Sequence, residues 1–212
     1  MKNQMRDRVK ESFPSVLLTL LSIMQAVALE LLWGKVVGLE VLYEASMECF
    51  VIWVQVVSTF VGLILVWVIY AGNVMRFRWT PNISDSIYPF LAGVLEFWFV
   101  AAIGQATIGV WILTLGGLFA AMTVISQLTM QRARADDDNA DFFRSIPPAK
   151  LKDFLPQIIL VGIFLVTGTT LLINEVSHHT NAAIVLLTLL FLAWQFRSFV
   201  AYWNASIEPV TK

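Results

Sequence analysis

The chain has 212 residues, of which 58% are hydrophobic, 13% aromatic and only 14% charged. A soluble domain is roughly 45–50% apolar and about 25% charged, so this composition excludes a disordered chain, a disulfide scaffold and most soluble enzymes. The net charge of −1 excludes a nucleic-acid partner, which demands a basic face.

The apolar residues gather in long blocks, and a bilayer core of about 30 Å needs about 20 of them per helix. The first eleven residues read as a solvated, mostly basic tail, and 15–33 is the first span, interrupted only by Glu30. In the connection that follows, Glu40, Glu44 and Glu48 recur at i, i+4 and i+8, so a helix there would carry one acidic ridge. The second span, 50–71, is uncharged and free of proline. Ser84 or Asp85 is placed to cap the next helix. The stretch 87–128 contains a single charge, Glu96, and as one helix it would run about 63 Å, twice the membrane thickness. It must fold back at Ile103-Gly104-Gln105-Ala106, which gives spans 87–103 and 106–128.

Residues 129–154 form the one long connection on the inner side, read as a charged, solvated cytoplasmic loop around Asp136-Asp137-Asp138. The fifth span, 155–173, opens through Pro156, where a first turn tolerates proline. The sixth, 182–203, carries Arg197 near its far end. Six spans put thirteen of the fourteen basic residues on one side and leave Lys35 alone on the other, as the positive-inside rule asks. The expected fold is therefore all-α: a polytopic integral membrane protein of the plasma (inner) membrane. It is a single transmembrane domain over 1–212, with six transmembrane helices and both termini cytoplasmic. Five spans is the alternative, if the third or fourth segment only dips into the bilayer.

Glu96 is the most informative residue. It lies about nine positions, or roughly 14 Å, into its span. A carboxylate at that depth costs on the order of 3 kcal/mol on insertion scales, so it must face protein or water. Three readings follow from this. Glu96 binds a cation or relays a proton, it pairs with Arg197 as a structural partner, or it is a protonated acid held by structural hydrogen bonds. Glu30, Glu40, Glu44 and Glu48, joined by Glu175, make the outer face acidic, a surface that concentrates cations at a mouth. Gln25, Gln55, Ser58 and Thr59 are read as interhelical hydrogen-bond formers, worth about 0.6 kcal/mol each, or as groups that wet a pore. Gly116-Gly117 with Ala120-Ala121 gives small-xxx-small spacing and predicts a close helix contact.

Other chemistry finds no residues to carry it. Cys49 is a lone cysteine and cannot form an internal disulfide. His178 and His179 are adjacent and diverge on a helix, so no metal site is expected. No span contains a histidine for a membrane haem or a lysine for a Schiff base, so no cofactor is expected. Gly-x-Ser-x-Gly, His-Glu-x-x-His and the P-loop are all missing, and the chain is read as no enzyme. No family is recognised from the residues. The expectation is a lipid-embedded homo-oligomer acting as a channel or transporter-like protein for a small cation. In it Glu96 is the internal carboxylate, and Glu30, Glu40, Glu44 and Glu48 form the acidic approach. The alternative is a non-conducting scaffold or sensor that acts through 129–154.

Overall fold

The structure is a computed structural model that describes residues 2–144 and 146–207. Lys212, counted above among the inner basic residues, lies outside them. The helices are α1 (Lys2–Gly38), α2 (Met47–Arg76), α3 (Ile83–Ala101), α4 (Ile108–Arg134), the short α5 (Ala140–Phe143), α6 (Leu155–Ile173) and α7 (His178–Ile207). No strand occurs among the described residues. Six of the helices, all but α5, are long and apolar enough to cross a membrane.

Local chemistry sets the boundaries. Ser46 caps α2 by accepting from the Cys49 backbone N–H at 3.1 Å. Asp85 secures the start of α3 by accepting from the Asn82 N–H at 2.8 Å. The fold-back expected at 103–106 is present: α3 ends at Ala101, and Gly104 adopts φ 152°, a region open to glycine. The Gly104 N–H donates to Gln55 Oε1 at 3.2 Å, which ties the turn to α2. Pro156 lies in the first turn of α6, where its missing N–H has no intrahelical partner to lose.

The helices α1 to α4 make the centre of the bundle: α1 packs on α2 and α3, and α3 packs on α4. The remaining two lie outside this group, α6 along α4 and α7 along α2. The α4–α6 seam depends on glycine at both sides. A Cβ on Gly109 would sit 2.8 Å from the Gly168 carbonyl oxygen, and one on Gly168 would sit 2.9 Å from that of Gly109. Of the expected small-residue pair, only Gly116 serves a contact: its Cβ would meet Phe164 Cβ at 2.9 Å, whereas Gly117 faces nothing within 4 Å.

The structure corrects two expectations at the end where α1 begins and α7 finishes, hereafter the basic end. Residues 2–11 belong to α1, and although residues 4–9 and Glu11 are exposed as a solvated stretch would be, Lys10 is buried. The Asp136 segment is not simply solvated either. Lys10 Nζ donates to Asp136 Oδ1 at 2.6 Å and to Asp138 Oδ2 at 3.1 Å, while Arg6 Nε donates to Thr80 Oγ1 at 2.8 Å. Asn139 is buried as well: its Nδ2 donates to the Ala133 carbonyl at 2.7 Å, and its Oδ1 accepts from the Arg78 N–H at 3.1 Å. Phe77 packs against Phe142 and Phe143 with ring centroids 5.0 and 5.3 Å away. The segment after α4 is thus bolted to the start of α1 and to the α2–α3 loop. A count of charges sees the acids there but not the cations that the fold delivers to them.

The acidic ridge needs a third correction. Glu40 lies on a 3-10 turn, Glu44 is extended, and Glu48 belongs to the first turn of α2. Gly38 ends α1 before the three glutamates can share one helix face.

Candidate functional site

The third helix buries a stripe of Asp85, Pro89, Ala92, Glu96 and Phe99, at the spacing of one helix face. Glu96 is wholly buried on this stripe, at 0% exposure. Its neighbour on the next helix is set by a glycine. A Cβ on Gly93 would fall 3.1 Å from Met24 Cβ, so the bare Gly93 lets α1 approach α3 closely. That approach brings Gln25, also buried, into contact with Glu96, and Gln25 Nε2 donates to Glu96 Oε1. The second carboxyl oxygen, Oε2, has no hydrogen-bond partner among the described residues.

The expected Glu96–Arg197 pair is not formed. Arg197 is exposed on α7, which packs on α2 and not on α3. Counting along two spans matched the heights of the two residues, but height does not say which helices are neighbours. Gln25 is the partner instead, and its amide supplies a donor without a charge.

Polar groups continue from Glu96 toward the Gly104 end. Phe99, one turn beyond Glu96, stacks on Trp111 with centroids 5.1 Å apart. Trp111 Nε1 in turn donates to the buried Thr59 Oγ1 at 2.9 Å. Gln55 and Ser58 on α2 are fully buried, and Gln55 Nε2 and Ser58 Oγ lack partners among the described residues. Buried polar groups are usually satisfied by protein or by ordered water, so these two orphan atoms are polar exceptions in a largely apolar interior. Toward the basic end, Asp85 forms an ion pair with Arg132, and Arg132 Nη2 donates to Ser84 Oγ at 2.9 Å. Trp79 Nε1 completes this group by donating to Asp85 Oδ2 at 3.2 Å.

A groove also reaches Gln25 from outside. It has a volume of about 370 Å³, runs between α1 and α2, and is lined by Ser22, Gln25, Ala26, Leu29, Leu63, Ile64 and Trp67. Trp67 Nε1 donates across it to Ser22 Oγ at 3.4 Å. The lining is apolar except at Ser22, Gln25 and the Trp67 ring nitrogen.

The remaining acids named from the sequence do not join Glu96. Glu30 is exposed and lies about 7.5 Å beyond Gln25 along α1. Glu40 and Glu44 are exposed, and Glu48 is half-buried, all near the end opposite the basic end. Groups of three or more His, Cys, Asp or Glu side chains that could hold a metal ion are absent among the described residues. His178 and His179 stand exposed at the start of α7.

At the basic end the charge state of Asp136 is set by the fold. Burial works against its carboxylate form, but the hydrogen bond and positive charge of Lys10, aided by the Asp138 N–H and by Arg6, prevail. They hold its pKa below the ordinary aspartate value. Sequence reasoning found the acids of this segment and missed their partners. The available signal was Lys10 itself, a lysine four residues before Pro14 within reach of a helical start. Compared with protein-family models, curated proteins and solved structures, the chain matches none.

Proposed function

We propose that the chain is a plasma-membrane protein that moves a small cation, and that the cation is a proton carried by Glu96. The observation that carries this reading is the state of Glu96: wholly buried, hydrogen-bonded to a neutral amide, with one carboxyl oxygen left unpartnered. A carboxylate and one amide cannot supply the six or more oxygens a hard metal ion takes. A proton needs a single oxygen, and it removes the charge that is costly at this depth. Gln55, Ser58 and Thr59 on one side, and Asp85 with Arg132 on the other, offer polar groups along the same interior. The exposed Glu30, Glu40 and Glu44 would draw cations toward the far mouth. In this reading six helices span the bilayer, the basic end with both termini is cytoplasmic, and the largely uncovered α6 and α7 face lipid or further copies of the chain.

The test is Glu96→Gln, which keeps the size and hydrogen bonding of the side chain and removes its titration. The purified variant is expected to fold and assemble like the parent and to lose proton flux in liposomes. Normal flux in a folded variant would leave Glu96 a structural hydrogen-bonding acid and sink the proposal. A second reading, a non-conducting sensor or scaffold acting through 129–154, is favoured by one observation. The buried Lys10–Asp136 contact couples that segment to the first helix, so a partner pulling on the segment would be felt there.

A further inference from the structure

Between α2, α4, α6 and α7 a slot of about 430 Å³ opens toward the basic end. Its volume falls in the range of roughly 300–1,000 Å³ typical of small-molecule sites. The packing explains why it exists. The helices α6 and α7 are joined at the opposite end by the short turn 174–177, and near their mid-height Phe119, Phe164 and Phe191 fill the space with centroids 5.5 to 5.9 Å apart. From that plug α6 follows α4 and α7 follows α2, so the two diverge and leave the slot open.

The lining is divided along its length. The deep part is apolar, walled by Gly62, Leu65, Leu115, Leu118 and Leu192. The mouth carries Gln127 from α4, Gln157 from α6, Gln195 from α7 and Asp153 from the turn before α6. None of the three carboxamides has a hydrogen-bond partner among the described residues. Along α4 the lining runs from Leu115 to Met130, about 22 Å, and one leaflet of a bilayer with its headgroup region is about 20–22 Å deep. A slot that is polar at the surface, apolar in depth and one leaflet long has the shape of an extended acyl chain with its headgroup.

We propose that this slot binds a zwitterionic phospholipid bearing a primary ammonium group, with one acyl chain against the apolar wall. Charge selects the headgroup. Asp153 is the one charged residue of the lining, so an ammonium seated beside it gains an ion pair that a headgroup without a cation does not. The ammonium brings three donors, and the glutamine carbonyls and the Asp153 carboxylate are its acceptors. Lys150 and Lys152 are exposed on the same turn, outside the lining, and place positive charge at the level of the lipid phosphate. The proposal rests on the six helices spanning a bilayer and is independent of whether Glu96 carries protons.

The test uses the full chain in phospholipid vesicles that contain a trace of ethanolamine phospholipid with a photoactivatable acyl chain. Parallel vesicles carry the same chain on a choline or on an anionic glycerol headgroup. Labelling is expected on α4 between Leu115 and Met130 and on α7 at Leu192–Gln195. It should be about fivefold stronger with the ethanolamine headgroup than with the anionic one, as one partly exposed ion pair implies. Thr123→Trp, which fills the slot, should abolish this labelling, and Gln195→Trp at the mouth serves the same purpose should the first variant fail to fold. Asp153→Asn should keep the labelling and lose the headgroup preference. Equal labelling by all three headgroups, or labelling that survives a folded tryptophan variant, overturns the proposal. Labelling confined to the exposed faces of α6 and α7 also overturns the slot, whereas no labelling of any helix overturns the membrane reading itself.

Discussion

The α4–α6 seam makes a quantitative demand on two glycines. A methyl group on Gly168 would lie 2.9 Å from the Gly109 carbonyl oxygen and 2.6 Å from Leu113 Cγ, and one on Gly109 would lie 2.8 Å from the Gly168 oxygen and 3.0 Å from the Leu172 nitrogen. Carbon atoms at rest stand about 3.5–4.0 Å apart, and backbone atoms cannot rotate out of the way, so the helices must separate by several tenths of an ångström. Overpacking of this kind costs about 1–3 kcal/mol. Replacing glycine by alanine also favours the helix itself by about 1 kcal/mol, which hides part of the penalty. Gly117→Ala removes that ambiguity, since Gly117 lies on the same helix with nothing within 4 Å of its Cβ. Gly168→Ala and Gly109→Ala should therefore each be about 1–3 kcal/mol less stable than Gly117→Ala, because the helix preference cancels in the difference. Titration of the folded protein out of mild detergent with a denaturing one, followed by tryptophan fluorescence, measures this. If all three variants unfold together, the close α4–α6 packing is wrong.

Two further outcomes follow from the basic end and from the orientation. Lys10→Met removes the nearer of the two cations on Asp136, leaving Arg6 at 3.6 Å, and should cost about 1.5–3 kcal/mol, with Asp136→Asn in the same chain restoring part of it. Because the folded pKa of Asp136 is lowered, its contribution is present above the unfolded value of about 3.9 and is lost as pH falls through the folded value. Unfolding midpoints should thus drop on acidification below about pH 4, and this acid limb should flatten in Asp136→Asn; an unchanged limb would show that the pair contributes nothing. Reporter fusions within 129–154 should read cytoplasmic and those within 174–181 external, and the reverse result would invert the proposed orientation.

What the sequence disclosed was governed by one-dimensional rules. Hydropathy and length located the helices, and 155–173 coincides with α6 because Pro156 and Asn174 bound it cleanly. The fold-back at Gly104 was legible because a 42-residue, largely apolar stretch is too long to cross a bilayer once. Neighbour relations were not legible. Glu96 stood out by its cost, but its partner Gln25 depended on the close approach of α1 at Gly93, a contact between residues distant in sequence. The Glu40, Glu44 and Glu48 ridge failed because periodicity presumes a continuous helix, and Gly38 ends it. The bolt between Lys10 and Asp136 was hidden for the same reason: charge near a terminus reads as solvated until the fold brings its counter-charge.

The proposed proton movement is measured by reconstituting the chain into liposomes with a trapped pH-sensitive dye and applying a potassium diffusion potential, negative inside. The account predicts that the interior acidifies faster than in protein-free liposomes, at a rate indifferent to replacing external sodium by a large organic cation. A rate no greater than that of protein-free liposomes, or one that follows the sodium, would contradict it.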